Sequence, residues 1–299
     1  MQLARLQTKT GFSYAVGTDE HWIPLTDLLP DVGPITATGQ LFPLLDGIAA
    51  ALADTGAPTP SAVSRAAAGI RFMAPVVRPS KIVCIGLNYA DHLAETGADV
   101  PASPVMFAKW PNTLAGPRDA LSSHQNETQQ LDYEGELAVV IGQRCRDVPE
   151  ATALSVVGAY AVANDVSARD RQFEEGGQWT HSKSFDQFCP LGPWLTTADQ
   201  VEDPNDLVLT TVVNGMLRQR SSTGEMIFSV PQIIAYLTQG ITLEAGDLIL
   251  TGTPAGVAMA LPKTPWLAPG DVVTVAISGL GQLENAVVAH TSDLSDHGA

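Results

Sequence analysis

The sequence predicts an α+β fold that is mainly β, on three observations. Short β-branched apolar runs recur along the chain, separated by Gly- and Pro-rich turns. Stretches with helical spacing are few and short. Neither the dinucleotide-type glycine fingerprint nor the phosphate-binding Gly-Lys-Ser/Thr loop occurs. The 299 residues, 45% hydrophobic and 16% charged, allow a sizeable core in one large domain or in a domain with a smaller companion.

Residues 1–75 read as a small N-terminal α/β module. Phe12–Gly17 and Trp22–Leu25 have the look of short strands joined by turns. Leu41–Leu52 has the spacing of one amphipathic helix, ended by Thr55-Gly56-Ala57-Pro58. No catalytic cluster stands out here, so packing is the expected role. The Pro-rich crossing Phe72–Ser80 marks the boundary with a main domain, residues 76–299.

In the main domain Lys81–Gly86 reads as a core strand running into a short helix that Gly97 stops. Pro104–Trp110 is a further strand. Leu131–Gly142 holds a buried strand with Glu134 and Glu136 at its head. Val156–Ala163 is another apolar run, ending at Asn164-Asp165. Leu207–Val213, Asn214-Gly215 and Met216–Arg220 read as a hairpin. Ser229–Gln239 has helical spacing, and Asp247–Pro254 is a strand entering a tight turn. Asp271–Ile277 and Leu283–Val288 are closing strands, and the tail Asp293–Ala299 is polar and expected to fray.

The formal charge of -16, from 16 basic and 32 acidic residues, repels phosphate backbones and anionic bilayers. Neither nucleic acid nor a membrane is therefore an expected partner, and an anionic substrate needs a locally basic pocket. No apolar run approaches the roughly 18–20 residues of a membrane span. The N-terminus lacks the apolar core of a signal peptide. Cys84, Cys145 and Cys189 show no metal-type or redox-type spacing, which suits reduced thiols in the cytoplasm.

Strand periodicity sends the carboxylates of Glu134 and Glu136 out of one face. Two like charges at the edge of a core need neutralising, and a hard divalent cation with oxygen ligands would do so; a solvated strand end would equally carry such a pair. His92 and Glu95, three apart, share a helix face, either as a base with its orienting carboxylate or as an ordinary surface pair. Asp165 ends a buried strand close to Arg169 and Gln172. Lys183, among aromatics, reads either as a desolvated electrostatic stabiliser or as a snorkelling side chain.

Taken together, these residues resemble the fumarylacetoacetate hydrolase family. The pieces are Gly86–His92, Asp132–Leu137, Asn164–Asp170, Lys183–Asp186, Val213–Gly215 and Thr251–Pro254, in the family's order between about residues 80 and 290. The first 75 residues resemble the variable leading module of longer bacterial members, among them acylpyruvase and 2-hydroxyhepta-2,4-diene-1,7-dioate isomerase types. The resemblance implies a mixed β-roll, a homodimer and a Mg²⁺ or Mn²⁺ site built from Glu134, Glu136 and Asp165. It implies His92 as the base activating water, Glu95 as its partner and Lys183 as stabiliser of oxyanion charge. Arg169 and Gln172 would orient the substrate, a small anionic keto acid, with Thr253 at the pocket rim. The metal would polarise a carbonyl and steady an enolate, and the helix carrying His92 would be a mobile lid.

One departure stands out: where the family often has Gly-Val-Gly after Thr-Pro, this chain has Gly256-Val257-Ala258. The implied activity is hydrolysis of a C–C bond in an acylpyruvate or related diketo acid. The alternatives on the same site are decarboxylation of a β-keto acid such as oxaloacetate and isomerisation of an unsaturated dioate. A non-enzymatic metal-binding or ligand-sensing protein is the reading of a different class.

Overall fold

The computed structural model describes residues 1–9, 11–17, 21–55, 63–64, 70–174, 176 and 178–290. The expected helix stop at Gly56–Pro58 and the tail Asp293–Ala299 lie outside them. The leading segment supplies β1 (Gln2–Thr8), β2 (Gly11–Gly17) and β3 (His21–Pro24), then α1 (Leu45–Thr55). Next come β4 (Ile82–Gly86), α2 (Ala90–Thr96) and β5 (Val105–Lys109). The long central strands are β6 (Gly135–Ile141) and β7 (Val157–Asn164), followed by α3 (Arg169–Glu174) and β8 (Cys189–Thr197). The last third contains β9 (Val208–Val213), β10 (Met216–Ser222), α4 (Val230–Leu237), β11 (Leu248–Leu250), β12 (Val272–Ile277) and β13 (Gly281–Val288).

The fold is α+β and mainly β, as the sequence predicts. The larger sheet runs β3–β2–β1–β8–β7–β6–β11–β4–β5. It is mixed: β11 lies parallel to β4 and antiparallel to β6. A second sheet orders β10–β9–β12–β13. The leading strands are continuous with the larger sheet, because Gln2 and Leu3 of β1 pair with Thr196 and Leu195 of β8.

Strand β6 is buried along its whole length, for a reason visible in its period of two. Leu137, Val139 and Ile141 enter one core, shared with Leu209, Val273 and Val275 of the second sheet. Ala138 and Val140 enter another, shared with Leu3, Leu41, Ile48 and Leu250. A strand covered on both faces reads as a continuous apolar run. Against that background the two glutamates at its head stand out.

Two strands were not legible beforehand. In β1 polar residues interrupt the apolar ones. β8 holds Pro190 and Pro193, which ordinarily argue against an inner strand. Pro193 falls where the β7–β8 register shifts, between the Tyr160–Thr196 and Val162–Gly192 pairs, so an absent N–H is tolerated, and Pro190 lies beyond the last pair with β7, Ala163 with Leu191.

Candidate active site

The site is assembled by strand register. Gly135 of β6 pairs with Asn164 of β7, so the head of one strand meets the tail of the other. Asp165 N donates to Glu134 O at 2.8 Å, and Glu134 N donates to Asn164 Oδ1 at 3.0 Å. Gly135 between the two glutamates has no room for a side chain: a Cβ there would fall 2.4 Å from Thr211 Oγ1. The turn after β11 passes the same point, and Gly252 N donates to Glu136 Oε2 at 2.7 Å.

Glu134, Glu136 and Asp165 are buried and offer ligand oxygens that all lie within 4.8 Å of one another. Basic groups crowd two of the three. Lys183 Nζ lies 2.7 Å from Glu134 Oε2 and 2.9 Å from Asp165 Oδ2. Arg169 reaches Glu134 Oε1 at 2.6 Å, and Lys109 Nζ lies 2.6 Å from Asp165 Oδ1. Burial alone would raise the Glu134 carboxyl, but Lys183 and Arg169 outweigh it and hold it at about 2. Burial lowers the Lys183 ammonium, and Asp165 and Glu134 more than reverse this, so it stays cationic at neutral pH.

Glu136 differs. Its carboxylate accepts the Gly252 amide and forms no ion pair among the described residues. Burial pushes its carboxyl well up, and the charges of Asp165 and Glu134 push it further. Four buried carboxylates (Asp132, Glu134, Glu136, Asp165) face three buried cations (Lys109, Arg169, Lys183). A hard divalent cation fits this oxygen donor set and would relieve the crowding at Glu136.

Helix α2 closes over the turn that follows β11. Gly97, with φ 70°, ends the helix in the left-handed conformation, as the sequence predicts. Asp91 accepts from Ser221 Oγ at 2.7 Å and Ala255 N at 3.3 Å. Both Glu95 oxygens accept from Gly256 N, at 3.1 and 3.0 Å. His92 is buried, its Nδ1 is 3.5 Å from Glu95 Oε2, and that Nδ1 has no hydrogen-bond partner among the described residues. The pair expected from the sequence is brought together, at contact distance rather than in a hydrogen bond.

The remaining expected residues are also gathered here. Arg169 Nε donates to Asp132 Oδ2 at 2.9 Å and Arg169 NH1 to Gln172 Oε1 at 2.9 Å. Thr253 is buried: its Oγ1 donates to Gly135 O at 3.0 Å and accepts from Gln219 Nε2 at 2.8 Å. Lys183 lies 5.2 Å from the Phe107 ring centroid, a cation–π contact within a buried setting. At the expected departure, Ala258 opens a short 3-10 turn and its N donates to Asp132 Oδ1 at 2.8 Å. That position carries no left-handed backbone, so alanine fits it.

Local spacing alone does not place Lys109, Asp132 or Gln219 in the site. A signal existed for two of them. Asp132, Glu134 and Glu136 are spaced by two, and Lys109 shares strand parity with Phe107, which touches Lys183. Arg118 is exposed, and Arg171 donates to Glu127 O at 2.8 Å.

Comparison with known proteins agrees with this geometry. Residues 81–288 match the model of the fumarylacetoacetate (FAA) hydrolase C-terminal family. A Burkholderia multivorans protein with a provisional hydrolase name is 48% identical over 213 residues, 71% of this chain and 75% of that one. The structure of a fumarylacetoacetate hydrolase from Exiguobacterium antarcticum superposes with a TM-score of 0.82 at 36% identity, covering 97% of this chain and 100% of that one. A maleylpyruvate hydrolase from Sphingobium sp. SYK-6, solved with manganese (II) and pyruvate, gives 0.78 at 29% identity over 97% and 100%. The matched span holds β4 to β13 and every carboxylate of the buried cluster, and the chain belongs to the fumarylacetoacetate hydrolase family.

Proposed function

We propose that the protein hydrolyses a C–C bond in an acylpyruvate or related diketo acid, using Mg²⁺ or Mn²⁺ held by Glu134, Glu136 and Asp165. The observation that carries this reading is the buried carboxylate trio with Lys183 against two of its members. Manganese and pyruvate in the Sphingobium relative support the cation and the keto-acid class. When bound there, the cation would supply Lewis acidity to polarise a keto-acid carbonyl. It also turns the net charge of the buried cluster from -1, four carboxylates against three cations, to +1, which suits an anionic substrate.

His92 takes a proton from water, and the water oxygen bonds to the acyl carbonyl carbon. The C–C bond then breaks, its electron pair passes to the pyruvyl fragment, and a proton returned to that carbon gives pyruvate and a carboxylate. Glu95 stabilises the imidazolium. The Lys183 ammonium offsets negative charge developing on oxygen. Arg169 occupies the Gln172 carbonyl oxygen, leaving the Gln172 NH₂ to orient the substrate. Thr253 is assigned to the edge of the substrate pocket. The proposal includes a cytoplasmic homodimer with a small domain over residues 1–75 and the catalytic domain over 76–299; the free cysteines support the reducing compartment. Among the described residues no helix is long and apolar enough to cross a membrane.

The test is turnover of acetylpyruvate and oxaloacetate side by side, with Mg²⁺ and with a chelator. Acetate plus pyruvate from acetylpyruvate, lost on chelation, is the expected result; pyruvate from oxaloacetate alone overturns it. One observation favours that second reading: His92 and Glu95 stand 3.5 Å apart without a hydrogen bond. Decarboxylation or isomerisation on the same residues needs no activated water. His92→Ala separates the two readings, because it abolishes hydrolysis and spares decarboxylation.

A further inference from the structure

Arg218 interrupts the pairing of β9 with β10. Thr211 pairs with Gln219 and Val212 with Leu217, which leaves Arg218 as the extra residue of a β-bulge. A bulge takes one side chain out of strict alternation and re-aims it, often beside an active site. The next residue, Gln219, is buried and donates to Thr253 Oγ1 and Pro254 O, so the bulge is anchored in the turn that follows β11.

That turn spans the distance between the carboxylate trio and Arg218. At its start Gly252 N binds Glu136. At its end Gly256, with φ 104°, lies so close to Arg218 that a Cβ would come 2.0 Å from the Arg218 carbonyl. Gly256 O accepts from Tyr133 Oη at 2.9 Å, and Gly256 N donates to Glu95 of the covering helix. Arg218 is half-buried, and its Nε is shielded from solvent with no hydrogen-bond partner among the described residues. Its guanidinium forms no ion pair among the described residues, in a chain holding 32 acidic residues. A shielded guanidinium donor without an acceptor is costly, and its planar fork matches a carboxylate.

We propose that Arg218 binds a second carboxylate, at the end of the substrate remote from Glu134, Glu136 and Asp165, and so selects diketo acids that are dicarboxylates. This rests on the hydrolase reading above. The backbone carbonyl of residue 218 packs closely against Gly256 whatever the side chain, so truncating the side chain removes recognition and leaves that packing in place.

The test compares 2,4-dioxoheptanedioate with 2,4-dioxoheptanoate, which differ only in the terminal carboxylate, for the Mg²⁺-loaded wild type and for Arg218→Met and Arg218→Lys. The wild type favours the dicarboxylate. Arg218→Met loses on the order of 10²-fold in kcat/KM on it, mostly in KM, with a change below about threefold on the monocarboxylate, and Arg218→Lys recovers part of the loss. An equal fall on both substrates, or no wild-type preference, overturns the assignment. A parallel arm measures binding of 2-oxoheptanedioate and 2-oxoheptanoate by calorimetry, since both lack the 4-carbonyl and are not cleaved. A dicarboxylate preference that Arg218→Met removes, in a protein that cleaves neither diketo acid, upholds Arg218 and removes the hydrolase reading. Cleavage without any preference does the reverse.

Discussion

Lys109 Nζ lies 2.6 Å from Asp165 Oδ1, and both side chains are wholly shielded from solvent. The ammonium also donates to Val166 O at 3.1 Å, so it ties the end of β5 to the chain leaving β7. Removing Lys109 strips the cation from Asp165 Oδ1 and leaves Lys183, shared with Glu134, as the remaining partner of this buried carboxylate. Lys109→Met is therefore expected to destabilise the metal-free protein by about 3–5 kcal/mol. Denaturant unfolding measures it. Added Mg²⁺ recovers part of the loss, because a cation at Asp165 replaces the missing charge; an unchanged unfolding midpoint defeats the idea.

Among the described residues Glu136 is the trio member without a basic partner, and its carboxyl is raised by burial and by Asp165 and Glu134. Glu136→Gln keeps the shape and removes the repulsion. Thermal unfolding of the metal-free variant is expected to match or exceed the wild type. Saturating Mg²⁺, at about 100 times its Kd, adds about 2.7 kcal/mol to the wild type and raises its Tm by roughly 5 °C. The variant gains little of this. An equal Mg²⁺ response in both proteins removes Glu136 from the ligand set.

The parts of this site legible in the sequence are those set by local periodicity. The i, i+2 spacing put Glu134 and Glu136 on one face, and the apolar runs marked β6 and β7. The i, i+3 spacing brought His92 near Glu95, but the acceptance of Gly256 N by Glu95 spans 161 positions and has no local signature. The Lys109–Asp165 bond spans 56 positions and depends on which strands become neighbours. Strand β8 was hidden by Pro190 and Pro193, the second of which a register shift accommodates. Periodicity gives the faces of elements, whereas partners across the site follow from sheet order.

The Glu134 carboxyl is held at about 2, with burial opposing and Lys183 and Arg169 prevailing. A depressed acid contributes stability that is present above its unfolded value and lost as pH falls through the folded one. In the metal-free protein this contribution is on the order of 3 kcal/mol, disappearing between about pH 5 and pH 2. Glu134→Gln is expected to flatten the acid limb of the stability curve over that window, and to lower stability at pH 7. Urea midpoints from pH 2 to 7 for both proteins provide the measurement. Parallel curves would show that the Lys183 and Arg169 contacts carry no net stabilisation.

Glu95 has two relationships that one substitution separates. Its oxygens accept the Gly256 amide, which holds α2 down, and one of them stands 3.5 Å from His92 Nδ1. Glu95→Gln keeps an oxygen for Gly256 and removes the charge that would stabilise a protonated imidazole. If the charge matters for water activation, kcat for diketo-acid cleavage falls about 10²-fold with KM changed less than about threefold. Glu95→Ala also frees the Gly256 amide, so KM is expected to rise as well. Oxaloacetate decarboxylation, which needs no activated water, should be indifferent to Glu95→Gln. A Glu95→Gln enzyme that cleaves diketo acids at the wild-type rate would leave Glu95 with docking of the helix as its task, and His92 would then act unaided or not as the base.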